Sequence, residues 1–272
     1  MTHNSPSLSS VNEAYARAGD ALLDYLDKDT ILAFYQTANG KEISSGKFAH
    51  PESSAALAAN CFGLFVSHPG LLSLPHSLLG IGEALAVELE AEMQFPWRGG
   101  LHPCLDVAAE TAQSIIGIES KRYEPFRDKK RASFSDAYFR QDWGGRMTGF
   151  ETARDAFASA SLAFEHLDGV QLVKHAFGLR TQGVKRGKTA RLMYLYSEPS
   201  AFPNGQPISD GAVQAHRAEI DVFANMVSVD EVIFNSINYS ELLGHWLCDS
   251  NEVVQRHARV VSNSFDISRL VD

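Results

Sequence analysis

Along this chain the hydrophobic positions switch between a period near 3.6 and a period of 2, and the switches outline the elements. Residues 1–10 are polar and Ser-rich and read as a flexible N-terminal arm. From 11 to 26, Ala14, Ala18, Leu22 and Leu26 recur at helical spacing with Asp20, Asp24 and Asp27 opposite, which predicts a packing helix. Residues 31–35 fit a short strand or a continuation of that helix, and 38–47 form a Gly/Ser-containing loop. Ser53 and Ser54 before AALAANCFGLFV predict a capped helix, with Asn60 inside it needing a partner if buried, a structural role. Residues 86–95 alternate strictly, Val87, Leu89, Ala91, Met93 and Phe95 against Glu88, Glu90, Glu92 and Gln94, as a half-buried strand does.

The next stretch, LDVAAETAQSIIGIESK at 105–121, reads as two strands, 104–109 and 115–121, around a polar break at 110–114. Closing symmetrically on Ala112 and Gln113, this hairpin sets Asp106 directly opposite Glu119. Opposed residues share a face with Cβ atoms roughly 5 Å apart, so two carboxylates there repel unless compensated. A divalent cation would compensate them, and Lys121 lies on the same face as Glu119. The bland alternative is an ordinary cross-strand ion-pair network on a solvated surface.

Beyond the hairpin, 149–167 reads as an amphipathic helix, 171–179 as strand or helix, and 181–188 as a loop. His175 within 171–179 reads as a hydrogen-bonded structural residue. Residues 190–197 and 231–237 read as buried strands separated by a helix at 212–227 and followed by another at 240–247. Strand, helix, strand implies a parallel crossover, so the order is helix, three meandering strands, helix, strand, helix, strand: a mixed α/β core.

Composition adds bounds. With 272 residues, 44% of them hydrophobic, the chain suits one domain over 11–272. Three scattered cysteines without a Cys-x-x-Cys pair argue against a disulfide framework or structural zinc and fit a reducing, cytoplasmic setting. No run approaches the roughly 18 apolar residues of a membrane span, and no signal segment opens the chain.

Net charge is −9, which would disfavour a nucleic-acid partner were it uniform. It is not: residues 98–191 hold 16 Lys+Arg against 11 Asp+Glu, while 1–97 and 192–272 each hold 4 against 11. Arg122, Arg127, Lys129, Lys130 and Arg131 follow the hairpin, and Lys185, Arg186 and Lys188 form a second cluster; both are candidates for phosphate binding around the acidic pair. Phe134, Tyr138, Phe139 and Trp143 are interleaved with Arg131, Arg140 and Arg146; the phenylalanines read as core, the other two as core or base-stacking residues.

Asp followed on the next strand by Glu-x-Lys resembles the PD-(D/E)XK nuclease superfamily, and the longer run GIESKRYEPF, with the Ser-Ser and Asn positions at 53–60, resembles a family of restriction endonucleases within it. Leu105, where the superfamily motif has proline, is a departure at a position that is no ligand. The resemblance implies a restriction-endonuclease-like sheet flanked by helices and a Mg²⁺-dependent endonuclease, with Mn²⁺ an alternative ion. It implies Asp106 and Glu119 as metal ligands, the Ser120 carbonyl as a third, Glu90 (or else Glu88) as an accessory acid, and Lys121 as the catalytic lysine. DNA is the implied substrate, in restriction or phage defence, and cutting a duplex suggests a homodimer. A catalytically silent nuclease fold that binds nucleic acid or a protein is the alternative.

Overall fold

In a computed structural model, described over residues 8–38, 41–75, 82–97, 102–127, 133–140 and 143–267, three helices precede the sheet. α1 (Leu8–Asp20) is shorter than its apolar spacing predicts, because Asn60 takes over the backbone that follows. Its Oδ1 accepts from Leu23 N at 2.7 Å and its Nδ2 donates to Ala21 O at 3.0 Å, bonds a continuing helix would have made itself. Leu22 and Leu26 remain buried in the resulting turn, so the spacing reported burial correctly and helix incorrectly. Asp27 then caps α2 (Lys28–Thr37), neither strand nor continuation. α3 (Ser54–Ser67) is capped by Ser53, as expected. Since α1 starts at Leu8, the proposed arm over 1–10 is helical at its end; residues 1–7 lie outside the described residues.

The sheet is five-stranded and mixed, in the order β1 (Ala84–Glu92), β2 (Cys104–Thr111), β3 (Ser114–Lys121), β4 (Thr189–Tyr196), β5 (Ile233–Asn238). β1–β2–β3 is an antiparallel meander, and β4 and β5 add in parallel. β5 is an edge strand rather than a buried one, with only Ile237 inside.

Between β3 and β4 come α4 (Ala137–Arg140), α5 (Thr148–Ala158) and α6 (Gly169–Arg186); α7 (Asp210–Met226) links β4 to β5. α8 (Tyr239–Leu247) follows β5, and α9 (Glu252–Phe265), for which the pattern reading gives no element, packs on α3 and α8. α5 stops nine residues short of 167, and α6 runs through both the ambiguous 171–179 and most of the expected loop to a left-handed cap at Gly187. Glycines made that segment look like a loop. They are there for close approach: a Cβ on Gly178 would meet Met93 Cβ at 2.7 Å, and one on Gly183 would meet Lys188 O at 2.8 Å.

Helices α1–α3, α8 and α9 close one core with the sheet, and α5–α7 close the other. Along β1 the buried odd positions do not keep to one face as the alternation suggests. Val87 and Leu89 enter the first core, while Ala91, and beyond the strand Met93 and Phe95, enter the second. Val107 and Leu105 of β2 divide in the same way. The changeover falls at Glu90, a non-glycine residue with φ 50°, between the pairs Leu89↔Val107 and Ala91↔Leu105. No helix among the described residues is long and apolar enough to cross a membrane.

Candidate active site

The pairs run from Val107↔Ile118 to Glu110↔Ile115, the register the symmetric hairpin predicts, and Asp106 and Glu119 come next on the two strands. The break is tighter than expected. Thr111 Oγ1 accepts from the amides of Gln113 and Ser114 at 3.2 and 2.9 Å, so the strands run in to Thr111 and Ser114 and leave only a two-residue turn. Beyond the opposite end of the hairpin lies a cleft of about 440 Å³. Glu90, Asp106, Glu119 and Lys121 all line it, with the first residues of α3 opposite. Glu88 does not; it is exposed elsewhere on β1.

Three carboxylates in one cleft titrate very differently. Burial, then the neighbouring Glu119 charge, push Asp106 well above the usual carboxylate range, against the pull of Lys121 and a 2.7 Å bond from Ser120 N to Oδ2. Burial raises Glu90 to about 7 despite a Cys104 thiol 3.6 Å from its Oε2. Glu119 is buried too, yet Lys121 and His175 outweigh its desolvation and hold it down to about 2. Lys121 in turn is kept cationic against its own burial by Glu119, Glu124 and Asp106.

Lys121 bonds Glu119 Oε1, while His175 Nε2 stands 2.8 Å from Oε2, close enough for an ion pair but poorly aligned for a hydrogen bond. His175 Nδ1 has no hydrogen-bond partner among the described residues. His175 therefore belongs to the site through Glu119, which a lone histidine among apolar residues did not disclose. Two further supports were missed. Ser120 Oγ bonds Tyr239 OH at 2.7 Å, tying β3 to α8. Glu124 accepts from the amides of Arg122 and Tyr123 at 2.8 and 3.1 Å and bonds Ser54 Oγ, tying the end of β3 to α3.

The family model described as restriction endonuclease associating with ARP matches residues 20–247, which span the sheet and every residue of this cleft. The chain belongs to that family. No curated protein and no solved structure matches it. As a member of a restriction-endonuclease family, the chain presents Asp106, Glu119 and Glu90 as hard oxygen donors of the kind Mg²⁺ takes, and Asp106 Oδ1 has no hydrogen-bond partner among the described residues. Among the described residues no three His, Cys, Asp or Glu side chains form a ready cage, because Glu119 is turned to Lys121 and His175. Mg²⁺ seldom needs one, since it keeps several waters. The donor set fits that ion as an incomplete, water-completed site.

The cationic residues of this chain are distributed otherwise than the sequence suggests. Arg127 lines the cleft, held by Glu52 and by the Phe202 ring 3.8 Å away. Arg122 is buried and donates to Pro51 O and Phe265 O at 2.5 and 2.9 Å, fastening α9 rather than meeting solvent. Lys185, Arg186 and Lys188 lie at the other end of the sheet, where Thr189 pairs with Ser114; Arg186 and Lys188 are both spent on Glu110, at 2.5 and 2.6 Å. The expected grouping of the second cluster, Lys185, Arg186 and Lys188, around the acidic pair is thus corrected. Lys129, Lys130 and Arg131 lie outside the described residues. Tyr138 and Trp143 are core, whereas Phe139, expected inside, is exposed.

Proposed function

We propose that this chain is a metal-dependent endonuclease hydrolysing phosphodiester bonds of DNA, through a PD-(D/E)XK site. The carrying observation is that Asp106, Glu119 and Lys121 converge in one cleft, with the lysine held as a cation among carboxylates. Mg²⁺, or Mn²⁺ in its place, held by Asp106, Glu119 and the Ser120 carbonyl with Glu90 beside them, would supply positive charge at the scissile phosphate and a more acidic water. Lys121 orients the attacking water and meets the negative charge that grows on the phosphoryl oxygens. His175 and Lys121 fix Glu119 from its two oxygens, and the Ser120 amide fixes Asp106. A role in restriction or phage defence, a cytoplasmic setting and a homodimer for cutting both strands complete the reading.

Cleavage of supercoiled and linear plasmid with Mg²⁺, run beside Asp106→Ala and Lys121→Ala, tests it. Nicking or linearisation by the wild type alone, stopped by EDTA, is the expected result. Wild-type protein that binds DNA but never cuts it, with Mg²⁺ or Mn²⁺, replaces this reading with a silent nuclease fold.

A further inference from the structure

The cleft is a poor receptacle for a polyanion: Glu42, Glu52, Glu90, Asp106, Glu119 and Glu124 all line it. Of the cations facing them, Lys121 is paired with Glu119 and Arg127 with Glu52. Lys47 alone among the described lysines and arginines of the lining has neither an ion pair nor a side-chain hydrogen bond. Nor is it a loosely hung surface lysine. Ile43 and Phe48, 2% and 0% exposed, anchor the turn on either side of it in the core. Phe48 N donates to Glu42 O at 3.0 Å, Gly46 N to Ile43 O at 2.8 Å, and His50 N to Lys47 O at 3.0 Å. Gly46, at φ 75°, makes the bend that no side chain would adopt without strain. The turn therefore presents an unspent ammonium on the rim of the cleft, with His50 beside it in the same lining.

We propose that Lys47 is a phosphate-contacting residue of the DNA track, gripping the duplex backbone next to the bond that is cut. This rests on the nuclease reading, and it replaces the Lys185–Lys188 cluster as the place where the backbone is held. The anchored turn fixes where the lysine side chain starts, and a phosphate contact made by it carries no sequence information.

The test is fluorescence anisotropy of labelled DNA duplexes of unrelated sequence, with Ca²⁺ in place of Mg²⁺, across a series of KCl concentrations. The proteins are wild type, Lys47→Ala, Lys47→Arg and, as a charge-matched control, Lys28→Ala, whose side chain is paired with Asp24 and is no part of the cleft. Lys47→Ala should weaken binding about equally on every duplex and reduce the slope of log K against log salt by about 1, while Lys47→Arg keeps the wild-type slope and Lys28→Ala changes neither. Wild-type binding with an unchanged slope in Lys47→Ala, or an equal loss in Lys28→Ala, overturns the assignment of Lys47 and leaves the nuclease reading standing. A wild type that neither binds nor cuts DNA overturns both.

Discussion

At Asp106 the chain keeps a carboxylate where its surroundings oppose the charge. Burial and the Glu119 and Glu90 charges act against ionisation, and only Lys121 and one backbone amide favour it. A carboxylate held there costs the metal-free fold stability at neutral pH. Asp106→Asn keeps an oxygen for the Ser120 amide and removes the repulsion. It should raise metal-free stability by about 0.5–2 kcal/mol, the range of single stabilising changes, while abolishing cleavage. Mg²⁺ should raise the melting temperature of the wild type and not that of Asp106→Asn, since a ligand stabilises only the state that binds it. A melting curve with and without Mg²⁺ reads both effects, and a destabilised, Mg²⁺-responsive Asp106→Asn would contradict the placement of the ion. Glu90 makes the same point in its backbone: a φ of 50° on a residue with a side chain costs on the order of 1–3 kcal/mol and sits where β1 and β2 change faces.

Elements hold these residues in place by approaching unusually closely. Gly117 on β3 leaves room for Leu105 and Leu179, whose carbons would stand 2.3 and 2.7 Å from an added Cβ, and Gly178 does the same on the other side of α6. That closeness lets His175 reach Glu119. Gly178→Ala should therefore cost about 1–3 kcal/mol through overpacking, despite alanine's better helix propensity, and lower cleavage with it. Chemical denaturation and plasmid assays on one preparation would separate this from a simple gain in helix stability. α9 is docked by another buried histidine: His257 Nε2 donates to Cys61 O at 2.8 Å and Nδ1 accepts from Tyr25 OH at 2.7 Å, an arrangement of the neutral ring. Burial lowers its pKa from 6.5, so below that pH the unfolded chain takes up the proton first and the stability that His257 contributes falls. The advantage of wild type over His257→Leu should be full above pH about 6.5 and shrink as the pH drops through and below it; an advantage that grows on acidification would refute this.

These two helices also mark where sequence reading worked and where it failed. The hairpin register, the capped α3 and the meander followed by parallel strands were legible, because alternation and turn symmetry depend on neighbours in sequence. That Asp106, Glu119 and Lys121 come together in space was legible for the same reason. The true end of α1 was not, since Asn60, far along the chain, supplies its last bonds. The glycines of α6 suggested a loop because their reason, contact with Met93 and Lys188, is tertiary. His175 reaches Glu119, and Lys47 the cleft, only through packing, and nothing local distinguishes either from a structural histidine or a solvated lysine.

For the whole molecule, what matters is how charge is laid out along the sheet. β3 pairs with β4 from Ser114↔Thr189 at one end to Lys121↔Tyr196 at the other, so the cluster beside Thr189 and the cleft end are separated by seven residues, roughly 23 Å at strand spacing. Among the described residues the linear excess of positive charge in the middle third is not gathered at the cleft: Arg186 and Lys188 share Glu110, Arg122 is buried, and Arg180 and Arg146 share Glu231. The cleft itself is rich in carboxylates. A chain of net charge −9 with such a cleft should hold DNA weakly until divalent ions offset the carboxylates. Duplex binding should accordingly rise steeply when Ca²⁺ is added to metal-free protein and collapse with EDTA. Lys185→Ala should leave both binding and cleavage at wild-type values, since its ammonium is exposed about 20 Å from the chemistry. Gel-shift titrations with and without Ca²⁺ would decide it: strong binding in EDTA that depends on Lys185 would mean that the DNA lies along the far end of the sheet.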